Sequence, residues 1–459
     1  MPTTASSPRR PRLRHRRRSA TLALVVASAF VATGLTACSS SSGSGGNPGA
    51  PTVSVWSWRP QDKSLWSTVQ SDLATQGVKV NIDFRSIAPT QYDAILRTAM
   101  NGGKGPDIFY DRAGEATDTY AAAGMIKALD GQVDTSTVSS AALATAQYQG
   151  KTYGVPFAIQ TMSVFYNKAV LGQHGIAEPA TWPDFISALQ KLKSAGVTPM
   201  YVMGTEPWML GLQIDAIGAS TMPDDFTQQL VDKKADYTGA PYVQTLTAFQ
   251  QLAPYLEPNW QAVGSADTEQ ETALALGKCG FVIDGIFNTP EFTTVNPAVQ
   301  LGQFLVPSPA GGQPKVDWYA DGDFSLNSQI GDAAEASAAE KVVAFTATPA
   351  FGNAFSSIAG EISPVKGASV PAKYPLAVQA SQWFQSQPIQ PIFGIRSAMD
   401  TPPPNVANLK ANKSPAASGG VWTDEQNLAV QLLEGTLTPT QMAAKVQSEL
   451  GWYYSGSTS

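Results

Sequence analysis

The stretch GKTYGVPFAIQTMSVFYNKAVL, residues 150–171, decides how this chain is organised. Its apolar positions Val155, Phe157, Ile159, Met162, Val164 and Phe165 stay extended for longer than one ordinary strand of about 5–6 residues. A segment that remains extended over that length is suited to leave one folded unit and enter another. Gln160 sits in its middle among apolar neighbours, where an amide is costly unless it finds a partner.

The residues before it alternate in kind. VSVW at 53–56 reads as a strand, and 62–77 as a helix with Leu65, Val69 and Leu73 on one face and Gly77 as its stop. VKVNIDF at 78–84 alternates as a second strand. Thr90 is expected to cap a second helix, with Asp93 at the capping-box position and Tyr92, Ile95, Leu96, Ala99 and Met100 as its apolar face. PDIFYDRAG at 106–114 is a third strand running into a loop. Strand, helix, strand, helix, strand predicts an α/β fold with a parallel sheet and crossover helices.

Beyond the extended stretch, 181–197 opens a helix with Thr181 as cap, Asp184 three residues on and Gly196 as stop. PMYVMG at 199–204, CGFVIDG at 279–285 and QFLVPSP at 303–309 read as strands. DWYADGDFSLNS at 317–328 alternates around a polar middle, and 331–347 is an alanine-rich helix. Two capped helices over 423–434 and 438–450 close the chain, while 308–314 and 401–420 are loop-like. The 459 residues suit one large domain or two to three ordinary ones, and 43% hydrophobic content supports a sizeable core.

The N-terminus is set apart from this organisation. Seven arginines between Arg9 and Arg18 precede an apolar run from Ala20 to Leu35, the pattern of a secretory signal over residues 1–37. Leu35-Thr36-Ala37-Cys38 resembles the lipobox of bacterial lipoproteins. That resemblance implies cleavage before Cys38 and lipidation of its sulfur. A Ser/Gly-rich tether over 38–51 follows. Beyond residue 37, 23 Lys+Arg face 36 Asp+Glu, a net charge of −13. Such a balance disfavours nucleic acid and anionic lipid surfaces as partners. Cys279 then remains as a lone thiol and His174 as a lone imidazole, so neither an internal disulfide nor a His-rich zinc site is expected. No cofactor is expected.

In an open parallel sheet, ligands bind beyond the carboxyl ends of the strands. Strand one ends in Trp56, Trp58 and Arg59, and the two indoles, at i and i+2, are expected to share one face. Strand three ends in Asp111 and Arg112, and Gln160 marks the extended stretch. The second half adds Trp208 after Glu206-Pro207, then Asp284 and Phe287, then Trp318, Asp321 and Asp323. Rings with a few hydrogen-bonding side chains suit a polar ligand with apolar patches, as a sugar is. Each residue also has a plainer role: the rings as core, Asp111-Arg112 as a surface pair, Gln160 as partner to nearby backbone.

Two further readings attach to DGDFSLNS. Asp321, Asp323, Ser325 and Asn327 alternate as calcium ligands do, but Leu326 stands at the glycine position of an EF-hand loop and Asp332 at its final Glu. Asp321 and Asp323 are also a candidate carboxylate pair for a cell-surface carbohydrate-active hydrolase, the alternative to a binding function.

The lipobox, the strand-helix opening, GKGPDIFYDRAG at 103–114, residues 150–176, TWPDFISALQKL at 181–192 and GFVIDG at 280–285 together resemble the family 1 extracellular solute-binding proteins of sugar ABC importers. The resemblance implies two α/β lobes with a ligand cleft between them and no catalysis. It implies a mono- or oligosaccharide ligand, permease subunits as partners, and a monomer held by its lipid on the outer face of the cell membrane. The expected division is lobe one over 52–157 and 312–349, and lobe two over 158–311 and 350–459. Asp111-Arg112 matches the pair that hydrogen-bonds sugar hydroxyls in maltose-binding members. Gln160 falls at a ligand-binding carboxylate, Trp208 at a stacking tyrosine and Phe287 near a stacking tryptophan. Trp56 and Trp58 depart from those members, which carry polar residues there.

Overall fold

The computed structural model describes residues 47–264, 268–392, 420–451 and 454. The signal segment, Cys38, the tether up to residue 46 and all but the last residue of the 401–420 loop lie outside the described residues. The chain opens with β1 (Thr52–Ser57), α1 (Lys63–Thr75), β2 (Asn81–Ser86), α2 (Pro89–Asn101), β3 (Ile108–Asp111) and α3 (Glu115–Ala122). β1 pairs in parallel with β2 and β3, as the alternation of elements requires. α1 turns Leu65, Trp66, Val69 and Leu73 inward, and a buried Leu of this kind contributes ~1.5–3 kcal/mol. Thr90 does not cap α2. Pro89 opens that helix after Ala88, with no side-chain cap, because proline at the first position has no N–H to satisfy.

After a two-residue strand at Lys151–Thr152 that forms a hairpin with Gln147–Tyr148, the stretch over 150–171 breaks into three strands, β4 (Gly154–Pro156), β5 (Ile159–Gln160) and β6 (Met162–Asn167). The elements that shape the site continue with α4 (Trp182–Ser194), β7 (Thr198–Tyr201), α5 (Pro207–Ala219), α6 (Glu269–Ala275) and β8 (Cys279–Gly285). Then come α7 (Thr289–Val295), β9 (Leu301–Phe304), β10 (Val316–Ala320), β11 (Asp323–Leu326), α8 (Ala333–Thr346), α9 (Pro349–Ala359), α10 (Pro375–Ser386) and β12 (Ile389–Pro391). α11 (Gly420–Leu433) and α12 (Pro439–Glu449) close the chain. Thr181 caps α4 by accepting the Asp184 N–H at 3.2 Å, and Thr438 with Gln441 forms a capping box on α12.

Each of the three strands joins a different sheet. β4 is the edge of a five-stranded sheet ordered β2-β1-β3-β11-β4. β6 lies inside a four-stranded sheet ordered β9-β6-β8-β7. β5 pairs with β10, which also pairs with β12, in a small sheet between them. The first sheet packs on a core holding Val53, Phe109, Tyr110, Phe157, Phe324 and Phe351. The second covers a core holding Val164, Phe185, Met200, Phe281 and, from the C-terminal helices, Leu428 and Met442. The chain is therefore two α/β lobes joined through β5 and β10.

Two expected lobe boundaries move. The return to lobe one begins with β11, not at 312, since Tyr319 on β10 packs in the second core. It also runs past 349: Phe351, Phe355, Ala359 and Val365 belong to the first core. α5 has no helical signature in the sequence because its residues from 209 to 219 are all buried. A helix apolar on every side has no polar stripe to give it a period.

Candidate functional site

At the end of β1 the two tryptophans part company. Trp56 is half-buried and lies beneath the Arg85 guanidinium, 4.7 Å from its ring. Trp58 follows the last strand residue, so alternation no longer governs it. Its indole is 7% exposed, packed edge-on against Tyr92 and Tyr110 at 5.3 and 5.6 Å, with Phe157 at 6.1 Å. The Arg112 guanidinium covers it at 3.8 Å. Gly322 makes this packing possible, since a Cβ there would come within 2.9 Å of the Trp58 ring and 2.4 Å of the Asp111 carbonyl oxygen. The shared indole platform expected from the sequence is thus replaced by a core ring roofed by an arginine.

Arg59 is 4% exposed and is bound within the protein. Its Nε donates to Asp62 at 2.9 Å, its Nη1 to Asp321 and Glu361 at 3.4 and 3.3 Å, and its Nη2 also to Glu361. Burial acts to lower its pKa, and Asp62, Glu361 and Asp321 more than reverse that. Gln160 donates to Glu361 at 2.5 Å from a fully buried position. Arg59 and Gln160 are therefore bracing groups between lobe one and the crossing segments. Glu361, which nothing in the sequence marks, is the hub of that brace. Burial pushes its carboxyl up to about 7, with Arg59 holding it down only in part.

Asp111 ends β3 and stands opposite Asp323 in the antiparallel pairing with β11. Asp323 is fully buried and accepts from the Thr117 hydroxyl at 3.2 Å. It is framework, and with it the idea of Asp321 and Asp323 as two carboxylates across a cleft falls. Among the described residues no group of three His, Cys, Asp or Glu side chains forms a metal site. Asp321 remains partly open at the edge of the Arg59 brace. Trp318 lies elsewhere, lining a separate cavity of about 430 Å³ with Ile159, Ile362, Phe384 and Ile389.

In lobe two, Trp208 and Phe287 come together. Both are half-buried, with ring centroids 6.1 Å apart and planes 43° apart. Trp208 Nε1 donates to Glu206 at 2.7 Å, which orients the indole from the start of α5. Phe287 sits in the short turn Ile286–Asn288 after β8. The Ile286 N–H donates to the Thr161 carbonyl at 3.1 Å, so this aromatic pair borders the same crossing segment as Gln160. Asp284 does not join it. It is fully buried beneath the turn, bonded to Asn288 at 3.0 Å, with its pKa pushed well up by burial and by Glu271.

The structure thus gathers Arg112 and Asp321 at the strand ends of lobe one, above a buried Trp58 ring and a buried Asp111 carboxylate that accepts from the Ser325 hydroxyl at 3.4 Å, and Glu206, Trp208 and Phe287 at the strand ends of lobe two. Arg59, Gln160, Asp284 and Asp323 support these sets from below, and Trp56 and Trp318 lie apart. Hydrogen-bonding groups on one lobe and rings on the other can orient a ligand, and no nucleophile with an adjacent base is among them.

A profile of the family described as bacterial extracellular solute-binding protein matches residues 66–352. The chain is 20% identical over 351 residues to the multiple sugar-binding protein of Streptococcus mutans, covering 74% of this chain and 82% of that one. It is 26% identical over 276 residues to the diacetylchitobiose binding protein DasA of Streptomyces coelicolor, covering 58% of this chain and 62%, under two thirds, of DasA. A solved structure of a chitin oligosaccharide binding protein superposes with a TM-score of 0.71 at 19% identity, covering 88% of this chain and 98% of that one. These relatives are binding proteins, not enzymes.

Proposed function

This chain belongs to the bacterial extracellular solute-binding proteins, and from that premise we propose that it captures a mono- or oligosaccharide between its lobes and delivers it to an ABC importer. The Trp208–Phe287 pair beside the crossing segment carries the reading, with Arg112 and the partly open Asp321 as hydrogen-bonding partners from the other lobe, Asp111 itself being buried against Ser325. The C–H faces of a sugar stack on such rings while its hydroxyls take the carboxylate and guanidinium. Ligand touching both lobes favours their closure in proportion to its preference for the closed state. The sugar-binding relatives support the ligand class.

Isothermal titration against a panel of saccharides, chitin oligosaccharides included, tests the capture. Saturable binding of a saccharide is the expected result. No binding across the panel, or binding of a peptide or polyamine instead, would overturn it. Anchoring is proposed through a lipid on Cys38, at the outer face of the membrane. Cys38→Ala is expected to move the protein from the membrane fraction to the medium, and unchanged fractionation would refute the anchor.

A further inference from the structure

We infer that Glu271 and Asp284 are positioning residues for ligand capture: their buried carboxyl groups grip Asn288 and so fix the turn that presents Phe287. The role in capture rests on the reading above, while the geometry stands by itself. Asn288 Nδ2 donates to Glu271 Oε1 at 2.8 Å and to Asp284 Oδ1 at 3.0 Å. One side-chain amide thus spends its hydrogens on two acids from different elements, α6 and β8. Asp284 Oδ1 also accepts the Gly285 N–H at 2.7 Å. On the same turn, the Ile286 carbonyl accepts from the Thr289 hydroxyl at 2.8 Å. Phe287 lies between these anchors. Its ring folds over Gly285, where a Cβ would come within 1.9 Å of it.

Glu271 is 2% and Asp284 0% exposed. Their second oxygens, Oε2 and Oδ2, make no hydrogen bond of ordinary length, with the buried Gln270 amide on α6 as a further donor toward Asp284. Two carboxylates gathered on one amide away from water repel each other, so the pair retains a proton, which can lie between those oxygens. Burial is the largest push upward on both acids; Glu271 adds to it at Asp284, and Glu291 on α7 adds to it at Glu271. Among the other charged groups on the packed elements, Asp215 on α5 is fully buried, and Lys168, which follows β6 toward the far end of β8, is exposed. Glu269 on α6 is engaged with the Gly264 N–H at 2.9 Å. Cys279 on β8, Tyr201 on β7 and Tyr166 on β6 are all pushed up, chiefly by burial. Lys278 precedes the far end of β8, roughly 20 Å along the strand from Asp284. α10, against the turn, carries no titratable side chain.

Loss of the retained proton sets two anions on one amide and loosens the turn. Ligand affinity therefore falls as pH rises. Isothermal titration of the strongest-binding saccharide from about pH 6 to about pH 9 tests this on the wild type, Glu271→Gln and Asn288→Ala. The wild type should weaken at least roughly threefold across that range. Glu271→Gln keeps an acceptor for Asn288 and supplies a permanent hydrogen to Asp284, so its profile should be flat; Asp284→Asn serves the same purpose should Glu271→Gln not fold. Asn288→Ala should bind about tenfold more weakly throughout. Superimposable wild-type and neutral-variant profiles, or wild-type affinity in Asn288→Ala, would overturn the inference. Should no saccharide bind the wild type, the capture reading fails, and the ligand-free protein decides the positioning role. Protection of the Gly285 and Ile286 amide hydrogens should then fall at high pH in the wild type but not in Glu271→Gln; equal protection in both would overturn it.

Discussion

Trp58 and Trp208 show how one residue type takes opposite roles a short distance from the same crossing segment. Trp58 is enclosed by three rings and an arginine, so Trp58→Ala opens a cavity and should cost about 3–5 kcal/mol of stability. Trp208 is only partly buried and is held by a hydrogen bond to Glu206. Trp208→Ala should instead weaken saccharide binding by ~1–3 kcal/mol and change stability little. Urea unfolding and isothermal titration on both variants separate the two; a reversed pattern would exchange their roles. The sequence shows the indoles and even their strand ends. It does not show that Gly322 lets another segment press against Trp58 from 264 positions away.

At the scale of elements, the crossing strands carry acids whose protonation bears on folding. Asp317 on β10 accepts the Met162 N–H at 3.1 Å and the Thr161 hydroxyl at 3.0 Å, tying β10 to the first crossing segment. Burial pushes its carboxyl up to about 7, and those two hydrogen bonds counter it only in part. An unfolded Asp titrates near ~3.9. Between those values the folded chain holds a proton that the unfolded chain has lost, so stability falls as pH rises from about 4 to about 7 and then levels off. Glu361 acts in the same direction. Asp317→Asn should flatten part of this fall, as read from unfolding midpoints across the window; wild-type and variant curves of equal slope would contradict it. The helices α1 and α4 were legible because one face of each meets water. α5 was not, because burial on all sides removes the contrast that periodicity depends on.

For the whole molecule, the consequence is a pair of lobes joined by short strands, with the candidate ligand groups divided between them. A saccharide that bridges Arg112 and Trp208 should lower the radius of gyration in small-angle scattering, and an unchanged value at saturating ligand would remove the closure step. The sequence by itself determined the α/β class, the extended crossing segment and the residue types at the strand ends. Those are local matters of periodicity, capping and composition. It also carried the likeness to sugar-binding proteins through contiguous segments. Only the tertiary structure decided which polar groups are spent inside the protein. Arg59, Gln160, Asp284 and Asp323 read as ligand groups in the chain, yet each finds internal partners, in Asp62 and Glu361, in Glu361, in Asn288 and in Thr117. The reason is physical: burying a charge or amide is costly without a partner, and such partners come from segments that only the fold brings together.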